Sequence, residues 1–346
     1  MSTTRSHTYS IIIPTFNRAG ELRELLQSLS LLDFPRDRFE VILSDDGSTD
    51  STRELAIAVQ KQNVYHLRYI RQKNQGPGAA RNLAMEKALG SFFIFVDSDV
   101  TMPADWLKKI DAELSSSEAD AFGGPDTFHE EFPPLLKAIN YSMTSFLLTG
   151  GLRGRKGKKL AKFYPRSFNM GLSRELWQKI GGFGALRHGQ DIEYSHRIIK
   201  SGARVVFVDA PVYHKRRTNL RRFFKQVFNW GVARINLYKI DRKMLEPLHA
   251  LPAVATLLII LVCLLAPFNT IALNVFYAGF TLACLGLIFS LIDAIIMYRS
   301  FRPALWLPLV MPAQVLGYGL GFLYNFTRRV ILGKGAHSGF RKNYYK

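Results

Sequence analysis

A chain of 346 residues has room for one domain of roughly 200 to 250 residues and an appendage. Its two cysteines, Cys263 and Cys284, both lie in apolar stretches, which excludes a disulfide framework and a cysteine zinc site. The formal charge of +19 is uneven: Arg153, Arg155, Lys156, Lys158 and Lys159 crowd one glycine-rich loop, Lys215, Arg216, Arg217, Arg221 and Arg222 crowd another, and the segment after Thr327 is basic with no acid. Beside apolar spans, such patches suit anionic lipid head groups better than nucleic acid.

Short apolar runs alternate with helical patterns from the start. Tyr9 to Pro14, Phe39 to Ser44, His66 to Arg71 and Phe92 to Val96 read as strands. Arg18 to Leu31, Ser51 to Gln62 and Gly78 to Leu89 read as the helices between them. This alternation predicts parallel βαβ units in an open α/β sheet. Ile11-Ile12-Ile13 and Phe92-Phe93-Ile94-Phe95-Val96 are apolar on both faces, as strands covered by helices on both sides should be. The alternation breaks after Ala121, where Phe122-Gly123-Gly124-Pro125 reads as a turn. Residues 132–149 carry an amphipathic helical pattern that leads into the first basic loop, a pairing suited to a membrane surface or to an ordinary surface helix and loop. Arg204 to Val208 reads as a last strand, and residues 216–246 as basic amphipathic helices.

From Pro247 to Ile292 there is no Asp, Glu, Lys or Arg, and a second such run extends from Pro303 to Thr327. A bilayer span takes about 20 apolar residues, so residues 247–327 hold two to three spans and residues 328–346 form a basic tail. Two spans, His249 to Phe268 and Ile271 to Tyr298, return the chain to the cytosol at Arg299-Ser300-Phe301-Arg302. Pro303, Pro308, Pro312, Gly317, Gly319 and Gly321 make the last segment read as an imperfect helix, with a re-entrant or interfacial hairpin as the alternative to a third span. The run Ser10-Ile11-Ile12-Ile13 is too short for a signal peptide, which places the preceding domain on the cytoplasmic face of a multi-pass membrane protein.

In an open α/β sheet, ligands bind beyond the carboxyl ends of the strands. Three such ends carry polar clusters: Pro14-Thr15-Phe16-Asn17-Arg18, Asp45-Asp46-Gly47-Ser48-Thr49-Asp50 and Asp97-Ser98-Asp99. Two carboxylates at i and i+2 around a small residue can converge on one hard cation, Mg²⁺ or Mn²⁺, which completes its shell with phosphate oxygens. Asp45 and Asp46 could equally build a turn and cap the helix that follows. The glycines of Asn74-Gln75-Gly76-Pro77-Gly78-Ala79-Ala80-Arg81-Asn82 let a backbone approach phosphate, but the pattern fits neither the dinucleotide fingerprint nor the phosphate loop.

The ordered set PTFNR, DDGSTD, NQGPGAARN, VDSD, and GGFG followed by HGQDIEYSHRI, across roughly residues 8–215, resembles the family 2 glycosyltransferases. That resemblance implies a GT-A fold, a Rossmann-like, mostly parallel open sheet, in a catalytic domain of residues 1–215. It implies a nucleotide-sugar donor, linked to uridine or guanosine diphosphate, and inverting transfer. Asp46, with Asp45, would contact the base, beside Pro14, Thr15 and Asn17. Gly76, Arg81, Asn82 and Ser98 would hold the diphosphate and sugar. Asp97 and Asp99 would grip Mn²⁺ or Mg²⁺, Asp99 more directly, and His214 matches a position that in some relatives adds a metal ligand; a structural histidine is the other reading. Asp191 would be the general base, with Gln190 where an acidic residue usually precedes it; as a bland alternative Asp191 caps its helix.

Gln226-Val227-Phe228-Asn229-Trp230 resembles the Q-x-x-R-W signature of processive synthases with Asn229 for Arg, so transfer of one or few sugars is expected rather than polymer extrusion. The basic clusters point to a polyprenyl phosphate- or diphosphate-linked acceptor at a membrane of anionic lipids. Two other readings stand beside this one. One is a polyprenyl- or dolichyl-phosphate sugar synthase; the other is a non-catalytic membrane scaffold, against which Asp97, Asp99 and Asp191 together argue.

Overall fold

The computed structural model describes residues 8–127, 132–145, 148, 164–214, 219–337 and 339. The chain forms two compact units, one built on Met1–Thr127 and Tyr164–Lys215, the other on Phe128–Phe163 and Arg216–Arg341. The expected boundary at residue 215 is therefore joined by an excursion: residues 128–163 go with the C-terminal helices. The basic residues 153–159 and 215–217 lie outside the described residues.

The first unit opens with three βα repeats: β1 (Tyr9–Thr15), α1 (Ala19–Ser30), β2 (Phe39–Asp45), α2 (Thr52–Gln62), β3 (His66–Arg71) and α3 (Pro77–Lys87). Next come β4 (Phe92–Phe95), the short β5 (Val100–Thr101), α4 (Trp106–Ser117), β6 (Ala121–Gly123) and β7 (Asp126–Thr127). After the excursion follow β8 (Met170–Ser173), α6 (Arg174–Ile180), α7 (Gln190–Lys200), β9 (Val205–Phe207) and β10 (Val212–His214).

Seven strands form the main sheet in the order β3-β2-β1-β4-β8-β6-β9, and β5-β10-β7 form a smaller one. β3, β2, β1 and β4 are mutually parallel, while β8 runs antiparallel to both of its neighbours. Alternation sends Ile11, Ile13 and Ile94 to one face, against Leu22 and Leu25 of α1 and Trp106 of α4. Ile12, Phe93 and Phe95 go to the other, against Met85 of α3 and Tyr194 of α7. The stretch read as a turn, Phe122-Gly123, instead lies in β6, paired to β8 and β9. Phe122 is fully buried and stacks on Phe92 at 6.1 Å, in space that Gly171 of β8 leaves open. Glycine reads as a breaker in sequence, but here it makes room for an aromatic ring between strands.

Below the sheet's amino edge, Glu40 is 5% exposed and knits four segments together. Its carboxylate accepts from Ser10 Oγ (2.7 Å), Leu89 N–H (2.5 Å) and Arg68 Nη1 (3.1 Å). Burial alone would push this carboxyl up; the Leu89 amide, the Ser10 hydroxyl and the Arg68 guanidinium outweigh it and hold the group below its ordinary range.

In the second unit, α5 (Pro134–Thr144) and α8 (Leu220–Ile240) pack with three long apolar helices, α9 (Pro247–Leu265), α10 (Thr270–Tyr298) and α11 (Leu307–Phe326). By length and composition three segments could cross a membrane: Pro247–Leu265, Thr270–Tyr298 and Ala304–Ile331. The glycines that made the last segment read as imperfect are packing points in a continuous helix. A Cβ on Gly231 of α8 would sit 2.1 Å from the Tyr318 carbonyl oxygen, and one on Gly321 would sit 2.1 Å from that of Phe228. Gly319 meets α9 at Thr256 and the Pro252 carbonyl. Small residues at such crossings let helix backbones touch, the usual basis of association where apolar solvent removes the hydrophobic drive. Tyr141 of α5 donates to Asp293 of α10 at 2.8 Å, Asn140 Nδ2 to the Tyr298 hydroxyl at 3.1 Å, and Gln314 Nε2 to the Ser142 carbonyl at 2.9 Å. Asp293 is thus engaged by α5.

Two stability outcomes follow. Glu40→Gln should destabilise the folded chain by roughly 1–3 kcal/mol at neutral pH. Because the native Glu40 pKa is lowered, its contribution is full above the unfolded carboxylate range and lost as pH falls through the native value, so the deficit, read from melts in detergent, should shrink on acidification. Gly321→Leu should cost more than Leu320→Ala on the exposed side of the same helix, in the same assay.

Candidate active site

The parallel register decides where the polar residues go. Thr15 lies opposite Asp45, and Ile12 opposite both Ile42 and Phe95, so the segments leaving β1, β2 and β4 emerge at one edge of the sheet. An open cleft of about 390 Å³, solvent included, lies there. Pro14, Thr15, Phe16 and Arg18 line it from β1 and the turn after it, Asp46 from the turn after β2, and Ser98 from the turn after β4. Asn74, Gly76 and Pro77 line it from the start of α3, and Arg187 from the loop before α7.

Five of the expected donor-binding residues, Pro14, Thr15, Asp46, Gly76 and Ser98, therefore share one cleft. Thr15 is 3% exposed, and its Oγ1 has no hydrogen-bond partner among the described residues. Asp46 accepts from Gln72 Nε2, Gln75 N–H and Gly76 N–H, each at 2.8 Å, so its carboxylate shapes the loop that forms the cleft wall. Gly76 has φ +97°, a conformation that an L side chain resists, which lets its N–H reach Asp46.

The other expected donor residues hold the frame. Asp45 is 1% exposed and accepts from Ser48 N–H at 2.8 Å and the Tyr69 hydroxyl at 2.6 Å, the turn-building role. Asn17, at φ +51°, accepts from Thr49 N–H at 2.8 Å and binds the turn after β1 to that after β2. The side chain of Asn82 is taken up by Phe183, donating to its carbonyl (3.0 Å) and accepting from its N–H (2.7 Å). It secures the GGFG turn, and that engagement competes with a direct grip on a donor.

Three carboxylates at this edge are matched to arginines, and a fourth faces an imidazole. Arg81, 5% exposed over the Phe183 ring, donates through Nη2 to Asp97 (2.6 Å) and Ser167 Oγ (3.1 Å). Arg18 Nη1 reaches Asp99 Oδ2 at 3.0 Å. His214 stands between two acids, with Nε2 3.3 Å from Asp99 Oδ1 and Nδ1 3.3 Å from Asp126 Oδ2. Asp191, in the first turn of α7, pairs with Arg166 Nη1 at 3.1 Å. Burial pushes the Asp191 carboxyl up, but the Arg166 guanidinium, with Arg81 beyond it, holds it below its ordinary value. Arg81 thus acts on both Asp97 and Asp191.

The sequence reading gave no role to Arg166, Ser167, Arg187 or Asp126, and used Arg18 only as part of a motif. The signal for Arg18 was its place directly after Asn17. Arg166 and Asp126 stand in no recognisable pattern and become visible only when β7, β8 and β10 are placed.

For a divalent cation, the donor set is mixed. Among the described residues, no group of three or more His, Cys, Asp or Glu side chains gathers as a metal cage. Asp99 Oδ1 and His214 Nε2 do face one another, and one carboxylate oxygen with one imidazole nitrogen suits Mn²⁺ or Mg²⁺ when phosphate and water supply the rest. Asp97, 30% exposed at its side chain and facing Arg81, stands in the same turn. The residues present fit an ion held mainly through Asp99 and His214.

Comparison with known proteins gives the family and the fold. The family model described as glycosyl transferase family 2 matches residues 10–181. The chain is 24% identical over 245 residues to glycosyltransferase AglE of Haloferax volcanii, covering 70% of this chain and 78% of that protein. It is 27% identical over 244 residues to the succinoglycan biosynthesis protein ExoA of Rhizobium meliloti, covering 68% and 71%. A poly(ribitol-phosphate) β-N-acetylglucosaminyltransferase, TarS of Staphylococcus aureus, is 32% identical over 142 residues, and the match spans only 25% of that protein. The fold matches that of the mannosyltransferase PcManGT of Pyrobaculum calidifontis, solved with GDP-Man and Mn²⁺, at a TM-score of 0.63 and 18% identity over 93% of this chain and 88% of that one. With its mostly parallel GT-A sheet, the chain belongs to glycosyl transferase family 2 and is a glycosyltransferase.

Proposed function

We propose that this glycosyltransferase moves one sugar, with inversion, from a uridine- or guanosine-diphosphate donor to a polyprenyl phosphate- or diphosphate-linked acceptor at the cytoplasmic face of a membrane, using Mn²⁺ or Mg²⁺. The observation that carries it is the meeting of the cleft, the Asp97-Ser98-Asp99 turn and Asp191 at one edge, linked by Arg81.

Each part has chemistry to perform. The unpartnered Thr15 hydroxyl and the Asp46-held loop wall offer polar contacts for a base and ribose. Arg18 and Arg187 line the same cleft and are placed to bind diphosphate oxygens. A bound divalent ion, held through Asp99 and His214 with Asp97 beside them, would supply charge stabilisation to the departing diphosphate. Asp191 accepts the proton of an attacking acceptor hydroxyl. Three helices apolar enough to span a membrane, and the polysaccharide assignment of ExoA, support a lipid-borne acceptor.

One observation favours a second reading. The pairing of Asp191 with Arg166 lowers its basicity, and an acceptor that is itself a lipid phosphate needs little deprotonation. That is the chemistry of a polyprenyl-phosphate sugar synthase.

Two measurements decide these points. With Mn²⁺, the matching nucleotide-sugar should stabilise the chain by about 2.7 kcal/mol at a hundredfold excess over its Kd, seen as a thermal shift that Asp99→Ala abolishes. A shift equal in both proteins would remove the metal from the donor site. Asp191→Asn should cut transfer to a hydroxyl acceptor by about 10²–10⁴-fold with donor binding retained. Substantial residual transfer to a lipid phosphate would establish the second reading instead. Because Asp191 is held low, the acid limb of the wild-type pH–rate profile should fall below the ordinary carboxylate value of about 4, and Arg166→Gln should move it upward.

A further inference from the structure

The small sheet β5-β10-β7 has a position that its size does not explain. β5 begins at Val100, directly after Asp99, and pairs antiparallel with β10 so that Val100 lies opposite His214. β10 pairs in parallel with β7, with Val212 opposite Asp126 and Tyr213 opposite Thr127. Three strands of two or three residues thus bring Asp99, His214 and Asp126 into one row. The side chains realise it: Asp126 Oδ2, Nδ1 and Nε2 of His214, and Asp99 Oδ1 follow one another with 3.3 Å at each gap.

We propose that Asp126 is a positioning residue that fixes the tautomer and aim of His214 toward a divalent cation shared with Asp99. The proposal rests on the metal-dependent reading above. Asp126 is 4% exposed, and burying a carboxylate is unfavourable unless a donor meets it. Nδ1 of His214 lies 3.3 Å from Asp126 Oδ2 and Nε2 lies 3.3 Å from Asp99 Oδ1; in the proposed tautomer the Asp126 carboxylate accepts the Nδ1–H, and the lone pair of Nε2 is left for the cation beside Asp99. The Phe168 ring, 5.4 Å from the imidazole, restricts rotation about the same axis. Carboxylate–imidazole–metal arrangements of this kind orient the ligand and raise its basicity. Without Asp126, the ring can place an N–H toward Asp99, where it has no electron pair to give a cation.

The test is Mn²⁺ binding, read by the electron paramagnetic resonance signal of free Mn²⁺, to the full chain in detergent with nucleoside diphosphate present. Asp126→Ala should weaken binding about 10- to 100-fold, and His214→Ala by a similar factor, with no further loss in the double variant. Asp126→Asn keeps an acceptor for Nδ1–H but loses the charge, so it should weaken binding only a few-fold, and it carries the test if Asp126→Ala does not fold. In wild type, spin-echo modulation from an imidazole nitrogen on Mn²⁺ is expected, and it should vanish in His214→Ala and Asp126→Ala. Wild-type affinity in a folded Asp126 variant, while His214→Ala binds weakly, overturns the positioning role alone. A wild-type chain that binds no Mn²⁺ overturns the metal reading, and this inference with it.

Discussion

Like charges gathered at one place must be compensated, and the catalytic half of this chain is organised around that requirement. Asp46, Asp97 and Asp99 come to one edge because parallel strands deliver their ends there together, and Asp191 joins them from the first turn of α7. Uncompensated, they would repel one another strongly in a partly buried setting. Each is met differently: Asp46 by backbone amides, Asp97 by Arg81, Asp99 by Arg18, and Asp191 by Arg166. Of these arginines, Arg18 also lines the cleft, beside Arg187. Compensation of the protein's own charge and the lining of the cleft proposed for the donor thus meet in one side chain.

How much of this could be read from residues alone follows from what repeats locally. The βαβ alternation, the doubly buried strands and the polar residues after them are consequences of short-range pattern, and Asp46, Ser98 and Gly76 were found that way. The strands β5, β6, β7, β8 and β10 are two to four residues long, too short for periodicity to register. They carry Asp126 and flank Ser167, so these two stayed hidden, while His214 on β10 was reached only through the family resemblance. Asn82 shows the opposite case: a motif residue adjacent to the site whose amide the fold directs to the backbone of Phe183. Motif membership located the neighbourhood, and hydrogen bonding decided the duty.

In the C-terminal unit, hydropathy identified the apolar helices, but it could not assign their glycines. Proline and glycine in Leu307–Phe326 suggest a broken helix when only chain propensity is considered. Gly231, Gly319 and Gly321 are instead where backbones of α8, α9 and α11 approach too closely for any side chain, and Gly317 leaves room for the side chains of Val227 and Phe224. Glycine is selected there for what passes beside it rather than for the conformation it permits.

The excursion of residues 128–163 carries a practical corollary. Because α5 buries Ile139, Tyr141 and Met143 in the second unit's core and exchanges hydrogen bonds with α10 and α11, the two units are interleaved along the backbone and not simply tandem. Cutting the chain after residue 215 would leave an apolar helix with nothing to pack on, in the middle of what remains. An isolated first unit therefore has to lose α5 as well as the C-terminal helices.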